Sequence, residues 1–97
     1  MRVMMGWSGE VSNNVWRKLE VDVDETDYQR MLAEVGISVE AQIPTNWKFL
    51  LMEAKATELV ASELMSRFQV RTTEVQDYLA KARADQVRVI KKIKGEE

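Results

Sequence analysis

Apolar and polar residues alternate along the first quarter of the chain. Val3, Met5, Trp7 and Val11 fall on one parity, with Gly9 between the last two, and Arg2, Met4, Ser8 and Glu10 fall on the other. After Ser12-Asn13-Asn14 the alternation resumes, with Leu19, Val21 and Val23 set against Trp16, Lys18, Glu20 and Asp22. A period of two is the signature of a strand, because successive side chains leave it on opposite faces. Asparagine tolerates left-handed backbone and bonds its own main chain, so residues 12–14 read as a turn and the two runs as a β-hairpin with one buried face. Trp16 shares the parity of the charged residues and is expected on the exposed side.

The period then changes. Asp24 is a good N-cap, Glu25 and Asp27 place acid in a first helical turn, and Tyr28, Met31, Leu32 and Val35 form an apolar stripe ended by Gly36. Ile37 to Ile43 alternates again, which predicts a third short strand ended by Pro44. Thr45 or Asn46 is expected to cap a second helix running to about Phe68, with Trp47, Leu50, Leu51, Ala54, Ala61, Leu64, Met65 and Phe68 inward. Such a wide apolar face marks a central packing helix. Thr57, within Lys55-Ala56-Thr57-Glu58, is placed to act as an internal cap dividing it.

The last helix carries the most signals. Thr73-Glu74-Val75-Gln76 has the form of a capping box, Lys91, Lys92 and Lys94 load the final turn with positive charge, and Gly95 follows as a stop. Thr73 to Lys94 is therefore expected as one long helix. The whole is an α+β fold in a single domain, residues 1–97. An N-terminal region, 1–44, holds the hairpin, short helix and third strand; a helical region, 45–97, ends in two long helices that form a helix-turn-helix-like hairpin.

Composition narrows the chemistry. At 97 residues the chain exceeds the size, about 40 residues, below which staples are usually needed. It has no cysteine and no histidine, which removes thiolate nucleophiles, disulfides, the usual zinc sites and the commonest general base. No motif organises the remaining carboxylate, lysine, serine or tyrosine chemistry, so the expectation is a non-enzyme without cofactors. The acidic run Asp22 to Asp27 fails the EF-hand spacing, since Asp27 stands where a glycine is needed and Ala33 where a bidentate glutamate is needed. A strand end followed by an acidic helix start accounts for the same residues. No apolar stretch approaches the roughly 18 residues of a membrane span, and the N-terminus lacks a signal-like run, so an intracellular, cytoplasmic location is expected.

Charge is distributed unevenly. Residues 1–66 hold six basic against eleven acidic residues, whereas residues 67–94 hold eight basic against three acidic. Such asymmetry points to an anionic partner for the basic half.

Leu64, Phe68, Val70, Val75 and Leu79 have the spacing that pins two helices across a short turn. Over Leu64 to Arg88, about a quarter of the chain, the sequence resembles the helix-turn-helix of GntR-type winged-helix repressors. In that family a small residue stands at the position of Met65, and glycines stand at those of Gln69 and Gln86. The resemblance implies duplex DNA as partner, with Arg71, Thr72, Thr73 and Gln76 at the start of the recognition helix and Lys81, Arg83 and Arg88 adding backbone contacts. It also implies a wing, for which Gln86 to Lys91 would be a strand.

A second reading competes for the same residues. Val75, Leu79, Ala82, Gln86, Val89 and Ile93 are spaced as a heptad seam. That seam suits either a dimer or the helix before it in the same chain, and it requires helix where the wing requires strand. The leading expectation is a small DNA-binding regulatory or architectural protein. The alternative is an assembly or adaptor protein that oligomerises, as a homodimer, or binds a protein partner through its C-terminal helix and hairpin edge.

Overall fold

A computed structural model describes residues 1–38 and 40–96. β1 (Val3–Ser12) and β2 (Val15–Val23) pair antiparallel in a two-stranded sheet, turning at Asn13-Asn14 with Asn14 at φ 59°. Register follows the alternation: Val3 lies opposite Val23, Met5 opposite Val21 and Trp7 opposite Leu19, all on the inner face. On the outer face Met4 meets Asp22, Ser8 meets Lys18 and Glu10 meets Trp16, which is 66% exposed. A shift between Glu10 and Ser12 leaves Val11 without a partner, the irregularity of a bulge next to the turn. Gly9 stands where a Cβ would lie 2.8 Å from the Trp7 indole, so the missing side chain is what lets the indole lie along the strand.

α1 (Glu25–Glu34) begins at Asp24 with a reciprocal capping box. The Asp27 N–H donates to Asp24 Oδ1 and the Asp24 N–H to Asp27 Oδ2, each at 3.0 Å. The acidic run is thus spent on a helix start, with Asp22 paired to Arg2 and Glu25 to Lys48. Gly36, at φ 77°, takes the left-handed position after the helix.

The third strand expected over residues 37–43 is corrected. Val39 lies outside the described residues; the others form a turn and irregular chain that joins no sheet. Ser38 explains why: its hydroxyl accepts from the Glu40 N–H and its carbonyl from the Ala41 N–H, bonds that compete with a ladder. The alternation instead reflects two anchors, Ile37 and Ile43, which pin both ends of the connection to the core.

α2 (Thr45–Ser66) is unbroken. Its N-cap is Pro44, without a side-chain cap, rather than Thr45 or Asn46; the Pro44 carbonyl accepts from the Trp47 and Lys48 N–H groups. Thr57 does not divide the helix, because its hydroxyl donates back to the Glu53 carbonyl at 3.0 Å. Leu50, expected inward, is 47% exposed. α2 lies between the inner face of the hairpin on one side and α3 (Thr73–Lys94) on the other, within a body of 48 × 24 × 20 Å.

α3 occupies the full span expected of it and ends at Gly95, φ 72°. Its cap sits one residue early: Thr72 accepts from the Val75 N–H, and the Gln76 side chain donates to the Arg71 carbonyl rather than closing a box with Thr73. Gln86 to Lys91 is helix, which corrects the strand required by a wing. The seam spacing explains this, since Val89 is buried in the core and the Gln86 amide donates to the Ala54 carbonyl of α2.

Two apolar clusters divide the core. At the α1 end, Val23, Leu32, Leu51, Met52 and Ala56 are shut from solvent with Val89 of α3 beside them. At the turn end, where α2 meets α3, the buried set is Leu19, Ala61, Leu64 and Val75, ringed by half-exposed Trp7, Val60, Phe68, Val70 and Leu79. A fully buried Leu or Met stabilises by roughly 1.5–3 kcal/mol, so the α1 end holds the larger share of the hydrophobic stabilisation.

Candidate functional site

The helical pair is built by a tight connection. Arg67 closes α2, Gln69 takes φ 59°, and the Val70 N–H reaches back to the Leu64 carbonyl at 2.8 Å. That bond, with Val70 packed beside Leu64, is the pattern of a helix stop with a left-handed residue. Gln69 holds the backbone shape for which the repressor-type motif uses glycine, and its own amide donates to the Ser66 carbonyl at 3.1 Å.

From this turn α3 runs back along all of α2. Leu64 shares a cluster with Val75, Glu58 bonds Arg83 at 3.2 Å, Ala54 accepts from Gln86 at 3.5 Å, and Val89 joins the cluster of Leu51 and Met52. The pair is an antiparallel αα-hairpin over its whole length. The seam Val75, Leu79, Ala82, Gln86, Val89 and Ile93 is turned toward α2 and the core, with Val75, Ala82 and Val89 buried. It is filled from within the chain and does not offer itself to a second copy.

The residues expected at DNA do not gather on one surface. Arg71, Thr72, Thr73 and Gln76 are exposed at the turn and first helical turn, beside the exposed acids Glu74 and Asp77. Lys81 and Arg88 lie on one flank of α3, facing Leu50 and Glu53 of α2 across a depression. Arg83 lies on the other flank, paired with Glu58, and Arg88 is paired with Asp85 at 3.0 Å. Partial burial pushes the Glu58 carboxyl up, but hydrogen bonds from Lys55 and Arg83 outweigh it and hold the group below its ordinary range.

A feature that sequence reasoning missed lies between the hairpin and α3. A groove of about 470 Å³ runs across α2, walled by Met5 and Trp7 of β1 on one side and by Val75 and Tyr78 of α3 on the other. Val60, Ala61 and Leu64 form its floor. It meets a second depression, of about 230 Å³, at Thr57 and Tyr78; there Leu50, Lys81, Asp85 and Arg88 are the neighbours. β1 is bonded to β2 along one edge only, so the edge toward the groove presents unpaired backbone groups. Two signals in the sequence pointed here: Tyr78 lies off the seam of its helix, and Leu50 exceeds what one buried face can hold. Both are about half exposed, Tyr78 at 52% and Leu50 at 47%.

This arrangement can hold apolar side chains against the α2 floor and bond extended backbone along β1. Among the described residues no cluster of three or more metal-ligating side chains exists, and no helix is long and apolar enough to cross a membrane. Compared with known proteins, the chain matches no family model, no curated protein and no solved structure.

Proposed function

We propose that this protein is a non-enzymatic assembly module that binds a protein partner in the groove between the free edge of β1 and α3. The observation that carries this reading is the pairing of an unprotected strand edge with an open apolar groove. β1 bears one ionisable residue, Glu10, in ten positions, whereas β2 bears Arg17, Lys18, Glu20 and Asp22. Charged residues are a common device for blunting strand edges, and β1 uses it least. Tyr78 and Leu50 add exposed apolar surface of the kind enriched at interfaces.

A photo-cross-linking residue installed at position 78 tests the reading in cells producing the protein. Discrete protein adducts are expected there and not at Gln29, an exposed α1 position away from the groove. The same adducts from both positions would sink the reading.

Duplex DNA binding is the second reading, favoured by the left-handed Gln69 and the exposed Arg71, Thr72 and Thr73 that follow it. Glu74 and Asp77 stand beside those residues and would repel phosphates. The test is retardation of a mixed-sequence duplex at low salt. Binding that weakens with salt and is lost in Arg71→Ala supports it; no retardation removes it.

A further inference from the structure

The groove-side flank of α3 carries an ordered charge pattern. Glu74, Tyr78, Lys81, Asp85, Arg88 and Lys92 are spaced 4, 3, 4, 3 and 4, each one residue before a member of the buried seam. One residue is about 100° of helical turn, so these six form a straight stripe beside the seam. Five are exposed and Asp85 is half-exposed, and the stripe from Glu74 to Arg88 lines the two depressions.

Laid antiparallel on itself, this stripe is complementary at every position. Glu74 meets Lys92, Tyr78 meets Arg88, and Lys81 meets Asp85; two-fold symmetry then repeats each pair. The alternation of 4 and 3 is that of a two-helix seam in either orientation, and in the antiparallel one unlike heptad positions face each other. In a parallel arrangement Lys81 would face Lys81 and Asp85 would face Asp85. Acid at the start of a helix and base at its end is expected of any helix, from its dipole, and accounts for Glu74 and Lys92. It does not account for the inverted centre, where the lysine precedes the aspartate. Pairs within the helix, Tyr78 with Glu74 at 3.3 Å and Arg88 with Asp85 at 3.0 Å, leave Lys81 without an ion-pair partner among the described residues.

We infer that the occupant of this face is a second copy of the chain, docked antiparallel along the α3 stripe with the Lys81–Asp85 pairs at its centre and Tyr78 and Leu50 of each copy flanking them. The inference rests on reading the groove as a protein-binding surface, takes its α3 wall rather than the β1 edge as the contact, and names the partner. It replaces the buried seam as the surface through which the helix would dimerise.

Sedimentation of the purified full chain across a concentration series tests it by charge exchange. The wild type is expected to be a monomer–dimer system that weakens as salt is raised. Lys81→Glu alone, and Asp85→Lys alone, each oppose like charges twice and should weaken self-association by at least about tenfold. An equimolar mixture of the two variants should pair with each other, and the double variant should regain the wild-type dimer. Both positions are on the surface, and circular dichroism should give each variant the wild-type helicity. A wild type that stays monomeric, a dimer indifferent to Lys81→Glu, or a double variant that fails to recover would each overturn the inference. A monomeric wild type that still yields adducts to other proteins at position 78 overturns self-association alone. A monomer without such adducts overturns the groove reading as well.

Discussion

The two ends of this molecule solve the same packing problem differently. At one end α1 lies across the open end of the hairpin. Leu32 closes the cluster at 1% exposure, and Lys48 of α2 ties the helix down, through Glu25 at 2.6 Å and over the Tyr28 ring at 5.0 Å. At the other end no element among the described residues plays the part of α1. Trp7, Val60 and Val70 line a groove that is left open among the described residues. A closed end that anchors and an open end that is half-solvated is the division of labour expected of a small binding module.

The largest effect that would break this comparison is on stability. Leu51→Ala removes a side chain with no exposure at the α1 end and is expected to cost about 2–5 kcal/mol. Leu79→Ala, at a half-exposed residue packed against the turn-end cluster, should cost less, about 1–2 kcal/mol, because less apolar area returns to water. Urea unfolding of both variants checks the order. Equal costs would mean that the turn end is as well covered as the other.

Next in size is a test of the groove wall. Gly9→Ala puts a methyl 2.8 Å from the Trp7 ring, while Gly6→Ala meets its nearest atom, the Leu19 carbonyl oxygen, at 3.5 Å. Gly9→Ala should cost about 1–2 kcal/mol and alter tryptophan fluorescence, since the indole must move toward the groove. Gly6→Ala should be close to neutral. If both behave alike, the Trp7 wall is softer than the packing implies. Smaller again is the N-cap at the closed end: Asp24→Ala removes the acceptor of the Asp27 N–H and should lower the unfolding temperature by less than Gly9→Ala does, read by thermal unfolding.

How much of this was legible follows from which residues signal locally. The hairpin, its inner face, the Asp24 start and the span from Thr73 to Lys94 were all written in periodicity and caps, and these are decided within a few residues. The third strand failed because Ile37 and Ile43 alternate for the sake of two anchors, and Ser38 bonds the local backbone between them. The candidate site was harder to read. Helical spacing showed that Val75 to Ile93 form a seam but not what fills it, and only the return path of α3 along α2 decides that. The groove depends on three elements far apart in sequence, so no local pattern announces it. Tyr78 on the groove and Leu50 in the depression beside it were its traces, as apolar residues in excess of what the buried faces can take.

The smallest expected effect distinguishes the ends by acid. A backbone hydrogen bond from Asp27 holds the Asp24 carboxyl below its ordinary range, and Lys48 holds Glu25 below its own. Both belong to the α1 end, and Glu58 is depressed at mid-length of α2. A carboxyl whose pKa is lower folded than unfolded contributes stability above its unfolded value, near pH 4, and that contribution is lost as pH falls through the folded value. Acidification below about pH 4 should therefore loosen the cap and the α1–α2 tie. Asp24 and Glu25 are solvent-screened, so the loss is small and local and the whole protein is not expected to unfold. Amide exchange measured from pH 5 to pH 3, corrected for intrinsic rates, should show protection falling first at Tyr28, whose N–H bonds the Asp24 carbonyl in the first turn of α1. Val70, whose N–H closes the α2–α3 turn, should hold longer. If Val70 loses protection first, the closed end is not held by these charges, and burial alone, through Leu32, Leu51 and Met52, is what keeps α1 in place.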